Sequence, residues 1–448
     1  MPRRLLLAAA MALASCVPTG RAAPPLADLP PALRFAGPPA PSPAPANGQL
    51  ARDVLALSFQ LETGATLATF TRFEGPVTVA LESVGGPPPP TLAADLDDLL
   101  ARLRREAGID VSRAGPGERA SITVSALPRA TLARAARGAA CFVIPRVSGW
   151  AEWRTRRGSP DEDWTTLTTR TRATVFLPSD AGPQEARDCL HEELAQALGP
   201  LGDLYRLPHS TFDDDDLHGA LTTWDMLVLR ATYDPALRSG MSRAEVAAAL
   251  PAILARINPA GRRPDARPVD ESPEAWTRAI AAALAPTGSD RARLAQARTA
   301  LAIVRERGWR DTRAALSLMA LGQAELPYDA AAARGAFLAA GSLYRAAAGE
   351  GAGTARASLQ AAAITLAGGQ PQAAAAMLDR AAPAAREVQD GALLATILLL
   401  RAEALALAGR GAEAAEARRE GLAWGRGAWG DALLAERAAE VAGLRPGA

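Results

Sequence analysis

The sequence predicts two domains of different class, a mixed α+β domain over 51–258 and an all-α helical-repeat domain over 273–448. Three observations predict this. Between 51 and 258, β-rich runs alternate with amphipathic helical segments. Beyond a Pro- and Arg-rich linker at 259–272 the strand signals stop, and the chain becomes Ala-rich and helical. Within that second part, LAGGQPQAA at 366–374 returns as LAGRGAEAA at 407–415, an offset of 41.

In chain order, Arg3 and Arg4 precede ten apolar residues, Leu5–Ala14, the pattern of an export signal. Leu13-Ala14-Ser15-Cys16 resembles a bacterial lipobox, which sets a signal peptide at 1–16 and a lipid on Cys16. An ordinary signal cleaved near Ala22 or Ala23 is the alternative. Residues 17–50 are Pro-rich and read as a semi-rigid tether. Thr66–Phe73 and Val77–Leu81 read as strands. Leu92, Leu96, Leu99, Leu100 and Leu103 keep helical spacing over Leu92–Glu106, with Gly108 as the stop. Ser121–Ser125, Cys141–Ile144 and Thr171–Leu177 follow as strands, with a short helix over Arg129–Arg137 and a longer one over Gln184–Leu198. In the second domain, each copy, including a third and looser one at 320–331, is expected to end a helix at Gly and start another a few residues later. The pattern is similar to a tetratricopeptide-like array. Ala392–Leu400 is too short for a membrane span and reads as a buried repeat helix.

The net charge of +1 excludes a nucleic-acid footprint, and every basic residue is Arg. Apart from Cys16 the chain has only Cys141 and Cys189, which in an exported protein predict a disulfide tying the motif helix to the sheet.

The motif is Cys189–Gly199, CLHEELAQALG. A zinc-protease helix reads H-E-x-x-H, two imidazoles on one face with a Glu as general base. Here Glu192 stands at the first ligand position, Glu193 at the base and Gln196 at the second ligand. Leu198-Gly199 then resembles the exit of the metzincin helix, and LTTWDMLVLRATYDP at 221–235 resembles the segment metzincins carry after their site. The whole is similar to the bacterial family called domain of unknown function 2927, with its Glu-Glu-x-x-Gln-x-Leu-Gly motif. The following LP-x-S-x-F-x-D-D stretch is carried here by Leu207, Pro208, Ser210, Phe212, Asp214 and Asp215. The resemblance implies a zincin-like fold and no assigned activity.

The third metzincin ligand position falls on Gly202, with Asp203 adjacent. Glu192 and Gln196 share a helical face and offer oxygen donors only, which suit a hard cation weakly and zinc poorly. His191 is expected to be an incidental helix residue, His209 and His218 to sit on a solvated acidic loop, and the run Asp213–Asp216 to be an acidic loop capping the next helix. Of the adjacent Glu192 and Glu193, one is expected to titrate high unless an Arg pairs with it. The expectation is therefore a non-catalytic protease-like domain without a cofactor. A helical repeat would dock a protein partner, and a lipid anchor would hold the chain on the periplasmic side of the envelope. The alternative is a hydrolase with Glu192 and Gln196 on a weakly bound divalent metal and Glu193 as base.

Overall fold

The computed structural model describes residues 29–115, 117–136, 139–213, 217–265 and 270–444. The signal peptide, Cys16 and Asp214–Asp216 lie outside the described residues. The chain forms two compact units, one of Gly37–Glu271 and one joining Ser272 onward to the residues before Gly37.

The first unit opens with α1 (Asn47–Phe59), which starts inside the stretch expected to be linker. Its sheet has five strands in the order β2-β1-β3-β5-β4: β1 (Val77–Ser83), β2 (Val111–Arg113), β3 (Ile122–Leu127), β4 (Phe142–Pro145) and β5 (Ala173–Pro178). All neighbours are parallel except the edge strand β4, antiparallel to β5. Parallel strands covered on both faces read as near-continuous apolar runs, which is why ATVFLP on β5 is buried throughout. The expected strand at Thr66–Phe73 bends at 68–69 and belongs to no sheet, with only an isolated bridge from Thr66 to Gln60. Its backbone pairs with loops instead, Phe70 N–H with the Met241 carbonyl (2.8 Å) and the Arg72 carbonyl with Arg170 N–H (3.1 Å).

One face of the sheet carries α2 (Leu92–Arg102) and α5 (Pro183–Leu198), and α6 (Thr223–Thr232) joins the same core, which includes Val79, Val124, Val175, Leu96, Leu194 and Val228. Burying such side chains contributes roughly 1.5–3 kcal/mol each. The four leucines of α2 and Leu103 after them are all buried, and the helix passes through a π turn (Leu103–Ala107) before Gly108 reverses the chain at φ 71°. The other face carries α3 (Arg129–Ala135) and α4 (Trp150–Arg156) over an aromatic cluster of Phe142, Phe176, Trp150 and Trp153. Helix α7 (Arg243–Ile257) packs on α1.

The second unit holds α8 (Glu274–Leu284), α9 (Asp290–Arg307), α10 (Thr312–Glu325), α11 (Ala330–Ala348), α12 (Ala352–Ala367), α13 (Pro371–Glu387), α14 (Gly391–Leu407), α15 (Gly411–Trp429) and α16 (Asp431–Ala442), each packed mainly on the next. The repeated LAG segments form the same turn one residue out of letter register, its left-handed glycines, Gly369 and Gly409, lying 40 residues apart and not 41. Gly369 (φ 74°) and Gly409 (φ 79°) follow α12 and α14, and the next N–H groups reach back five residues, Gln370 to Thr365 (3.1 Å) and Arg410 to Leu405 (2.9 Å). The turn after α13 repeats this geometry with Gln389 at φ 58° and Asp390 N–H on the Ala385 carbonyl (3.1 Å), although its letters give no sign of it. The looser copy at 320–331 does not end a helix at Gly322. That residue lies inside α10, where an added Cβ would stand 2.7 Å from the Phe337 ring. Ala392–Leu400 lies buried within α14, and among the described residues no helix is long and apolar enough to cross a membrane.

Candidate functional site

Helix α5 starts at Pro183, which presets the first-turn φ, and its far side packs on β5, β4 and α2. The expected disulfide is present: Cys141, at the entry to β4, bonds Cys189 on α5 across a Cα–Cα distance of 5.8 Å. Closing a loop of this length contributes about 4 kcal/mol.

The C-terminus of α5 is secured by groups from elsewhere. Buried Arg170 donates to the carbonyls of Gln196 (2.6 Å), Ala197 (2.8 Å) and Gly199 (2.5 Å), and through Nε to Thr71 Oγ1 (3.2 Å). The Tyr233 hydroxyl donates to the Leu198 carbonyl (3.0 Å). Carbonyls that a helix end leaves without intrahelical partners are thereby satisfied. Burial pulls the Arg170 guanidinium down to about 10, still charged at neutral pH.

The motif side chains are deeply buried: Glu192 is 6% exposed, Glu193 3% and Gln196 3%. Gln196 Nε2 donates to Glu62 Oε1 at 3.0 Å. Glu62 sits in the turn after α1, where Leu61 N–H meets the Ala65 carbonyl (2.9 Å). Carboxylate oxygens of Glu62, Glu192 and Asp203 lie within 4.8 Å of one another. Gly202 itself is spent on packing. Its N–H donates to the Leu57 carbonyl (3.1 Å), and an added Cβ would stand 3.0 Å from the Gln60 carbonyl oxygen. That close approach to α1 delivers the adjacent Asp203 to the group. The structure thus joins Glu192 and Gln196 to one cluster, as their i, i+4 spacing predicts, and adds Glu62 and Asp203. Glu193 is not among its three carboxylates.

The histidines stand apart from that cluster. His191 Nδ1 accepts from Leu221 N–H (3.1 Å), so the ring is a hinge pin for the entry to α6 and not an incidental surface residue. Burial, with Arg187 and Arg102 adding repulsion, holds its pKa well below the ordinary 6.5, and the ring is neutral. His218 Nε2 bonds the Pro208 carbonyl (3.1 Å). His209 is pushed down to about 4 by burial and by His218.

The loop 204–222 is organised by carboxylates and is not a solvated acidic segment where it is described. Buried Asp213 accepts from Leu207 N–H (2.6 Å). Asp225, fully buried, accepts from Ser210 Oγ (2.6 Å), Thr211 Oγ1 (3.0 Å) and Thr222 N–H (2.7 Å), and with Thr222 makes the capping box of α6. Thr222 is the N-cap of that helix. Arg206 forms a buried ion pair with Asp53 of α1.

Sequence reasoning missed Glu62 and Arg170. Neither stands in a motif, and Arg170 is one of two arginines in TTRTRATV. Chemically the cluster is oxygen-only. It fits a hard cation such as calcium or magnesium and lacks the imidazoles or thiolates that zinc favours. No curated protein matches the chain. Residues 47–252, which include every residue of this cluster and of the α5 anchorage, match the family described as Protein of unknown function (DUF2927).

Proposed function

We propose that the chain is a non-catalytic envelope scaffold: a peptidase-like, zincin-type domain whose metal-binding positions have become a structural polar network, joined to a tetratricopeptide-like helical array that docks a protein partner. The observation that carries this reading is the bond from Gln196 Nε2 to Glu62 Oε1. It spends the second ligand position on a neighbouring carboxylate, while His191 is committed to Leu221. The packing of α5 on the sheet accords with the metzincin resemblance. Stacked helical hairpins present continuous surfaces for partners. Export and a lipid on Cys16 complete the proposal, and the Cys141–Cys189 bond supports an oxidising compartment. Affinity capture from bacterial envelopes with the full chain tests it. A specific protein recovered by the full chain and lost on removing 273–448 supports the reading, and failure to recover any contradicts it.

A second reading has its own observation, the convergence of Glu62, Glu192 and Asp203. In it the three carboxylates would hold a hard divalent cation and Glu193 would act as general base toward a water. Stoichiometric calcium, magnesium or manganese surviving dialysis, with a hydrolytic activity lost in Glu193→Gln, would favour it over the scaffold.

A further inference from the structure

The Pro-rich stretch expected to be a free tether is docked along the part that the structure describes. Residues 41–45 lie on the α/β unit, with Ser42 N–H on Thr223 Oγ1 (2.8 Å) and the Pro45 carbonyl accepting from Asn258 Nδ2 (2.9 Å). Residues 29–36, Leu-Pro-Pro-Ala-Leu-Arg-Phe-Ala, lie on the helical unit. There the Phe35 ring stacks on Trp424 of α15 with centroids 4.3 Å apart. Leu29 and Phe35 both pack against the apolar core of the last repeats. Leu33 N–H donates to the Ala423 carbonyl (2.9 Å), and Arg426 Nη1 donates to the Pro30 carbonyl (3.2 Å). The Leu33 carbonyl rests against the bare Cα of Gly427, where any Cβ would collide with it. The Leu33 side chain points away and is 41% exposed.

These contacts have the form of peptide recognition. A proline-stiffened backbone is gripped through main-chain groups, two apolar anchors pack on the helical core, and the residue between them faces solvent. Glycine inside a helix costs roughly 1 kcal/mol relative to alanine, and at position 427 it opens the notch that admits a second backbone. We propose that the Gly427–Trp424 notch of α15 is a peptide-docking site for an extended Pro-rich segment bearing Leu and Phe six residues apart, and that residues 29–36 of the chain are its intramolecular occupant. The proposal stands apart from the scaffold reading, since it concerns a ligand that the chain itself carries. A segment held in cis competes at an effective concentration on the order of millimolar, so a free peptide gains the site only when the segment withdraws.

The test uses a fluorescently labelled peptide of residues 29–37, LPPALRFAG, and the full chain with residues 29–36 deleted. The deletion variant should bind the peptide saturably, and the intact chain should bind it about tenfold more weakly or worse. Peptides carrying Phe35→Ala or Leu33→Pro, which remove the stacked ring and the donor N–H, should lose binding. Leu33→Ala, altering only the outward side chain, should keep it. Gly427→Val in the deletion variant should abolish binding, while the peptide variants leave the protein's fold untouched. Absence of binding to the deletion variant, equal binding to both proteins, or equal loss with Leu33→Ala and Leu33→Pro would overturn the proposal.

Discussion

Gln196 on α5 donates to Glu62 in the turn after α1 across 3.0 Å, and 134 residues of sequence separate the two. The position where a peptidase of this pattern would hold its metal with a second imidazole instead ties a helix to a turn. Glu192 and Asp203 border the same group. Breaking that link removes a hydrogen bond to a charged partner, and Gln196→Leu should lower stability by about 1.5–3 kcal/mol, measured by urea unfolding. An unchanged unfolding midpoint would count against a structural role.

Arg170 is the larger anchor. Replacing it with Met removes three charge-assisted hydrogen bonds to carbonyls at the end of α5, and the expected loss is roughly 3 kcal/mol or more in the same assay. Arg170→Lys should recover only part of it, because a single ammonium cannot reproduce the planar fork. Full recovery by Lys would show that charge alone matters there.

Removing the disulfide by Cys141→Ser with Cys189→Ser should cost about 4 kcal/mol, and reductant should destabilise the native protein but not the double variant. Thiol titration of the unfolded, unreduced mature chain checks the same point from the other side. Free thiols from these two cysteines would contradict the bond.

The buried histidines set an acid limit. His191 has a folded pKa well below its ordinary 6.5, so the unfolded state binds the extra proton first. Its contribution is complete above pH 6.5 and is lost as pH falls from there toward the folded value. His209, at about 4, adds a loss over the same descent. Unfolding free energies at pH 7.5 and 5.0 should therefore differ, and His191→Asn, which can offer an acceptor to Leu221 N–H, should shrink the difference. Equal pH dependence in both proteins would sink this assignment.

Much of this architecture was legible in the sequence, for identifiable reasons. The leucines of α2 keep a helical period, so their burial followed from spacing alone. Cys141 and Cys189, the two cysteines besides Cys16, implied their bond once the N-terminus was read as an export signal. The i, i+4 spacing of Glu192 and Gln196 placed both at one cluster. Contacts distant in sequence were not legible. Glu62 reaches α5 from a turn without a motif, and Arg170 differs from neighbouring arginines only in what surrounds it. Thr66–Phe73 carries strand-like residues but pairs with loops, a tertiary choice that propensity cannot express. The Pro-rich stretch showed its extended conformation in its composition, whereas the helix that receives it depends on a single glycine nearly 400 residues away.

The most direct test of the central claim, that the old ligand positions are now a structural network, is elemental analysis of the purified full chain after dialysis, paired with the stability and activity of Glu193→Gln. No stoichiometric zinc is expected, and Glu193→Gln should lose about 1–3 kcal/mol of stability, more than any change in activity. One tightly held zinc per chain, with chelator-sensitive proteolysis that vanishes in Glu193→Gln, would contradict it.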